Sequence, residues 1–580
     1  MDKLKKLIVL LVLINTQFIT AQAISLDETI FLHANSSTFV TGETLLYKVY
    51  CLKASDKTPS KISKIAYVEL VDSNDKSVFK TKIQLENSNG QGDYFIPTTL
   101  KTGNYKLLGY TNWILNGPIS NIFQIDITII NPYITNSTNN NTIKTGNTTI
   151  VSLNKETVEN IETFKNENLE FKLEKKIFSY RELVNLRINT SNKIFNDGNY
   201  SLSVRKIDGL PSDKLIKAID FLPKGEATTL DIAKNKNIIL PELRGEIITG
   251  KVTAKNNTDK VGDLAVALSL PGKSYAFYIS KTDSDGNFTF NIDRANYNRN
   301  IIIQIIDTKA DNFIISLGTL PEIDYSKLTF KPSQNLSYIY KESLIDRSIS
   351  SQIENAYFNK KTDLFVKPVS IEPFYYPLAK EYILDNYKRF NTIKETITEV
   401  STEIFSRQTN NNFYLHVTDS NIFPQLPEPA LVLIDGMLLQ NQNDLLNYNM
   451  KNIYKIDLIP GRYYIGPKSF NGLISLSTFE KDFESNQKGS PILKTTFLRP
   501  QLKKIYYKIN YTNPTEYERI PDFRNQLFWN TDVKLNNESN NTFYTSDLSG
   551  TFEIILEGFA KSGLPVSLRQ IIEVKDSTIN

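Results

Sequence analysis

Between Glu28 and Ile130 the chain repeats one pattern: a short run of β-branched, aromatic and aliphatic residues, then a turn. The runs are Thr29 to Leu32, Thr44 to Leu52, Ile65 to Val71, Val78 to Leu85, Gly92 to Ile96, Tyr105 to Trp113 and Phe123 to Ile130. Thr41-Gly42-Glu43, Asp72-Ser73-Asn74-Asp75 and Lys101-Thr102-Gly103-Asn104 punctuate them. Segments this short bury an apolar face only by pairing with one another, so the spacing predicts an antiparallel sandwich of about 100 residues.

The pattern returns along the chain. Val184 to Ile188 and Tyr200 to Val204 flank the turn Asn196-Asp197-Gly198 and predict a second small sandwich. Gly250 to Thr253, Ala265 to Leu270, Tyr275 to Ile279, Phe288 to Ile292 and Ile301 to Ile306 predict a third, with Asp283-Ser284-Asp285-Gly286 as its hairpin turn. Between Asp346 and Val400 apolar residues fall three and four apart, which predicts helices over Ser348 to Phe358 and Pro377 to Phe390. Strands resume at Phe413 to Val417, Ala430 to Ile434, Ile453 to Ile459 and Leu473 to Ser477, and Pro491 to Val574 reads as one more β domain. Asn131 to Thr149, crowded with Asn and Thr, reads as a polar linker.

The first residues predict export. Lys3, Lys5 and Lys6 precede an apolar run from Leu7 to Ile14 and the small-residue pattern Ala21-Gln22-Ala23, as in a cleavable signal peptide. That run is short of the roughly 20 residues of a membrane-spanning helix. Cys51, the single cysteine, is far from the predicted cut, so no lipid anchor is expected and no internal disulfide can form. Lys plus Arg number 67 against 63 Asp plus Glu, without long same-sign blocks, which excludes a nucleic-acid-binding surface.

Catalytic chemistry finds no seat. His33 and His416 are the two histidines and fall in different predicted domains, so a His-based triad or zinc site is not expected. Cys51 lies in a strand pattern without a neighbouring base and reads as a buried thiol. Asp435, beside Gly436 at a strand end, reads as a turn residue. Asp283 opens an acidic turn that lacks the glutamate of a calcium loop, with Arg294 near the twelfth position, and reads as a hairpin. No catalytic residue, cofactor or metal ligand is predicted. Two unrecognised carboxylates acting as a hydrolase are the remaining enzymatic alternative.

Three stretches carry resemblances. Phe31-Leu32-His33, Thr41 to Tyr50 and Thr102 to Trp113 resemble the macroglobulin-type domain of Bacteroidetes-type envelope proteins; Cys51-Leu52-Lys53-Ala54 departs from the thioester core of full macroglobulins, so covalent trapping is not implied. Ile248-Thr249-Gly250-Lys251-Val252 and Thr282 to Phe290 resemble a carboxypeptidase regulatory-like domain, a module without catalytic residues. Leu431 to Gly436, Ile453 to Ile459 and Ser469 to Thr478 resemble the plug domain of TonB-dependent outer-membrane receptors. The stretch after Phe479 falls well short of the 200 or more residues, roughly, that a large barrel needs. Asp522 to Asn530 and Phe543 to Phe552 are similar to the closing domain of the same macroglobulin-plus-plug proteins.

The expected fold class is therefore mainly β: serial immunoglobulin/macroglobulin-like β-sandwiches plus a small α+β plug-like domain. The expected divisions are a signal peptide (1–22), a macroglobulin-like sandwich (23–132), a linker (133–160), a second sandwich (161–240), a carboxypeptidase regulatory-like sandwich (241–320), a helical or irregular connector (321–400), a plug-like domain (401–482) and a C-terminal β domain (483–580). The expected function is a non-catalytic cell-envelope scaffold that presents the plug-like domain to an outer-membrane protein or envelope complex. The alternative is a periplasmic or surface protein that binds peptide or glycan. The expected location is the periplasm or the outer-membrane periphery, with the cell surface as an alternative.

Overall fold

Alternating apolar residues build strands throughout the computed structural model, and the protein is mainly β. Residues 23–134, 168–223, 229–231, 238–256, 258–293, 296–332, 336–366, 372–418, 428–485, 488–512, 519–536 and 538–576 are described. The expected signal peptide and nearly all of the expected Asn/Thr linker lie outside them. The chain divides into two compact units, one made of Met1–Leu243, Pro321–Val366 and Gln501–Asn580, the other of Arg244–Leu320 and Lys367–Pro500. No helix among the described residues is long and apolar enough to cross a membrane.

The first unit holds two sandwiches. In the first, the sheet Thr29–Ala34, Thr44–Leu52, Asn89–Phe95 faces a five-stranded sheet ordered Thr38–Val40, Phe123–Ile130, Gly103–Tyr110, Ile65–Asp72, Ser77–Gln84. Thr44–Leu52 and Phe123–Ile130 have the bounds that the sequence pattern predicts.

The second sandwich departs from expectation. Leu183–Thr190 lies between Leu169–Lys172 and Glu538–Tyr544, while Gly198–Lys206 lies between Gln526–Val533 and Gly550–Ala560, the latter followed by Pro565–Val574. The expected domains 161–240 and 483–580 thus contain two halves of one sandwich with one shared core, in which Val184, Leu202 and Val204 pack with Leu527, Phe552 and Ile554. Leu202 and Val204 need a sheet on both sides of their strand, and residues 207–223 supply no strand to provide it.

Helix α1, Lys341–Ala356, spans most of the predicted Ser348 to Phe358 and belongs to this unit. Its Arg347 is buried, donates to Glu43 at 2.8 and 2.9 Å and to Asp208 at 3.0 Å, and also donates to the Thr38 carbonyl. Burial opposes the charge, but Glu43 and Asp208 outweigh it and hold the guanidinium protonated. Arg347→Met removes the main cationic partner of buried Glu43, leaving it the Val40 amide and the more distant Arg205. Urea denaturation is expected to show a loss of about 3–5 kcal/mol, as when one member of a buried pair is removed.

In the second unit, Asn287–Ile292, Glu246–Ala254 and Phe313–Leu317 face Ala276–Lys281, Ala265–Leu270 and Asn300–Ile306. Ile492–Thr496, expected in the C-terminal domain, completes the second of these sheets. Lys380–Ile383, Ile453–Ile465, Lys468–Thr478, Leu431–Ile434 and Met437–Leu438 form a separate sheet, in which Leu431–Ile434 runs parallel to Lys468–Thr478. The predicted helix Pro377 to Phe390 is instead the edge strand Lys380–Ile383 and a 3-10 turn, because Tyr382 pairs with Ile456 and joins a core that no local pattern reveals. A short helix α2, Ile393–Glu399, follows, capped by reciprocal hydrogen bonds between Thr392 and Glu395. The expected connector 321–400 is thus shared between the units.

Candidate functional site

Each residue with tempting chemistry is tied into the fold. Asp435 and Gly436 take φ of 48° and 83°, as the Asp-Gly pair of a two-residue hairpin requires. The Asp435 carboxylate accepts from the Thr478 amide at 2.8 Å, the Thr478 hydroxyl at 2.6 Å and the Phe483 amide at 3.2 Å, joining the hairpin to the end of the neighbouring strand. Asp283 accepts from the amides of Asp285 and Asn287 at 2.9 and 2.8 Å, and hydrogen bonds from the Asn287 side chain and backbone hold its carboxyl below the usual range. Cys51 is buried, and burial together with the Glu28 carboxylate pushes its thiol well above the ordinary value, which removes the thiolate a nucleophile needs. His416 stacks on Phe405 at 5.2 Å, and burial followed by Arg407 lowers its basicity.

His33 is placed where sequence reasoning did not look. Its Nδ1 stands 2.6 Å from the Ser201 hydroxyl, which also bonds the Tyr50 hydroxyl at 2.9 Å and the Glu557 carbonyl at 3.3 Å. Burial pushes the imidazole down to about 3, so it is a neutral hydrogen-bonding group and a poor general base. Ser201 is fully buried. The pair therefore lacks both the basicity and the access of a nucleophilic site.

Glu553 and Glu557 of the same strand face one cavity. Each carboxyl is already engaged by a neighbouring group. Glu553 is bound to Arg569 at 2.6 Å; Glu557 accepts from the Ala218 amide and the Ser567 hydroxyl, both at 2.7 Å. Burial pushes Glu557 up to about 8, keeping it protonated near neutrality.

The concavity best shaped for a ligand is a groove of about 810 Å³ in the first unit, within the usual range for binding clefts. Helix α1 supplies Ser351, Gln352 and Asn355, and the first sandwich supplies Thr41, Thr44, Thr98 and Asp93. Gly42, at φ +94°, lets helix and sandwich approach: a Cβ there would stand 2.8 Å from the Ser351 hydroxyl. Asn355 donates to the Gly42 carbonyl at 2.9 Å. Lys504 donates to Asp93 at 2.9 Å and stands 3.7 Å from Asp363, whose other oxygen accepts from the Tyr507 amide. The fixed charges of the groove nearly cancel. Phe95, Tyr133 and Phe358, 51%, 50% and 60% exposed, stand among its lining residues. Sequence reasoning missed this groove because its walls come from five separated stretches; the sole available signal was the abundance of Phe and Tyr.

No family model matches the chain, and no curated protein does. Among solved structures it is similar to a Salmonella alpha-2-macroglobulin mutant, at 9% identity and a TM-score of 0.23 over 96% of this chain and 40% of that one. It is also similar to Escherichia coli alpha-2-macroglobulin activated by porcine elastase, at 9% identity and a TM-score of 0.24 over 95% of this chain and 44% of that one. A third is dimeric latent PorU from Porphyromonas gingivalis, at 8% identity and a TM-score of 0.16 over 50% of this chain and 33% of that one. The chain spans less than half the length of each.

Proposed function

We propose that the protein is a non-catalytic β-scaffold of the cell envelope, exported to the periplasm or the outer-membrane periphery, that binds a neutral glycan chain in the groove of its first unit. The carrying observation is the groove itself. Exposed aromatic rings offer flat apolar faces to the C–H faces of sugar rings, and the neutral hydroxyl and amide side chains beside them match a ligand rich in hydroxyls. Lys504 sits between Asp93 and Asp363 and leaves one net negative charge, so the groove favours an uncharged chain over an acidic peptide. The burial and hydrogen bonding of His33, Ser201, Cys51 and Asp435 support a role without catalysis.

The plug-like sheet enters this reading as a scaffold element. One face packs on Ile393, Ile397 and Leu415, the other on Ala265, Ala267 and Phe277. An outer-membrane partner would therefore engage it at the edge strand Lys380–Ile383. A glycan array probed with the purified protein is expected to retain neutral oligosaccharides and to lose them in the Phe95→Ala, Phe358→Ala double variant. Retention on acidic or hydrophobic peptides alone would replace the glycan reading with a peptide one.

A further inference from the structure

The strand Gly198–Lys206 alternates Leu202 and Val204 toward the core of the second sandwich with Ser201, Ser203 and Arg205 on the other face. Such a polar face ordinarily meets water. Here Ser201, Ser203 and Arg205 are 0%, 3% and 7% exposed. In register beside them run Glu553, Ile555 and Glu557, and beyond those Ser567 and Arg569, since Ser203 lies opposite Ile555 and Ile555 opposite Arg569. This face lines a cavity of about 190 Å³ that His33 to Ser37 and the stretch Ile207 to Lys217 also wall.

The charge in the cavity is unbalanced. Arg205, Lys206, Lys214, Lys217, Arg347 and Arg569 line it against Asp208, Asp213, Glu553 and Glu557. Asp208 is engaged by Arg347, Asp213 by Lys331 at 2.6 Å, and Glu553 by Arg569, while beyond the lining Glu43 stands beside Arg205 and Arg347 and Asp220 beside Lys217. Glu557 adds no charge while it keeps its proton. Among the described residues, two donors of the lining make no hydrogen bond: the buried Nη2 of Arg205, which has the Glu43 carboxylate 3.5 Å away, and Nε of Arg569. A buried guanidinium N–H that makes no hydrogen bond costs free energy, and an acceptor oxygen placed there would recover it.

We propose that this cavity binds a small oxyanion of two negative charges, of the phosphate or dicarboxylate class, between Arg205 and Arg569. Their strands lie on either side of Gly550–Ala560, about 10 Å apart, a span that two extended guanidinium side chains and one anion fill. Ser203, which accepts from Gln526 at 2.9 Å, retains its own hydroxyl hydrogen for the ligand. The site is separate from the groove above and stands whatever that groove binds.

Calorimetry and thermal unfolding of the mature chain with inorganic phosphate, with succinate, and with sodium chloride at matched ionic strength test it. Phosphate, succinate or both are expected to release heat and raise the melting temperature beyond chloride, with Arg569→Gln weakening binding about tenfold or more, as loss of a charge-assisted hydrogen bond does. Hydrogen exchange at Ser203 to Lys206 in the unaltered protein, slowed by the anion, gives the same answer without a variant. Neither anion exceeding chloride, or equal affinity in a folded Arg569→Gln protein, or exchange at Ser203 to Lys206 unchanged by saturating anion, would overturn the assignment.

Discussion

Ending the chain at Pro500 is expected to unfold the second sandwich while leaving every residue of its first half in place. Gly198–Lys206 would lose both neighbouring strands, and Leu183–Thr190 one of its two. Well over half of the shared core, including Phe552, Ile554, Leu556 and Val566, would leave with them. Each large core side chain is worth about 2–5 kcal/mol, against roughly 5–15 kcal/mol for a whole domain, so the remainder cannot hold. Amide exchange at Leu202 and Val204 is expected to become fast in the truncated chain and slow again when 501–580 is supplied as a separate polypeptide. Persistent protection in the truncated chain would show that 168–223 folds on its own.

A second large effect concerns pH. Glu557 is held protonated up to about 8 from an ordinary 4.5, by burial first. The folded state binds this proton more tightly than the unfolded chain, so the stabilisation is complete below pH 4.5 and is lost as pH rises to about 8. His33 is depressed from 6.5 to about 3. The folded state resists its protonation, so that contribution is present above pH 6.5 and is lost as pH falls toward 3. Each pH unit within either window is worth up to about 1.4 kcal/mol. Between 4.5 and 6.5 the two slopes oppose each other. The first unit is therefore expected to weaken toward pH 3 through His33 and above pH 6.5 through Glu557, until Lys48, lowered by burial from 10.5 to about 7, opposes the Glu557 slope above pH 7. Glu557→Gln keeps an acceptor for Ala218 and a polar partner for Ser567 without a charge. Urea denaturation across pH should show the variant gaining on the parent from pH 5 upward, to about 4 kcal/mol at pH 8. A constant difference across pH would remove Glu557 from this account.

What could be read from the sequence was local. Thr44–Leu52, Ala265–Leu270 and Phe123–Ile130 follow directly from alternation and bounding turns. The Asp435-Gly436 hairpin was legible because that dipeptide suits two successive positive φ values. Pairing over distance was not legible. Gly198–Lys206 looks the same whether its neighbour is near in the chain or, as here, Gln526–Val533. One clue was available: 161–240 holds too few strand patterns to close a sandwich of about seven. The helix expected over Pro377 to Phe390 failed because an edge strand followed by a turn also places apolar residues three and four apart. Alternation alone would leave Ser201, Ser203 and Arg205 on a solvent face. Its serines, where an exposed strand face more often carries long charged side chains, are the mark of a face that another layer covers.

The account rests on a binding groove rimmed by aromatic rings, whose charged lining residues, Asp93, Asp363 and Lys504, are paired with one another. Titration of the mature protein with neutral hexasaccharides, cellohexaose and maltohexaose, followed by calorimetry in the parent and in Phe95→Ala, Phe358→Ala, tests it most directly. Binding in the parent that weakens about tenfold or more in the double variant, with Tyr133→Ala intermediate and melting temperatures unchanged, is the predicted result; each stacked ring contributes about 1 kcal/mol or more beyond its buried area. Binding of equal strength in both proteins, or no heat from any neutral saccharide in the parent, would contradict it.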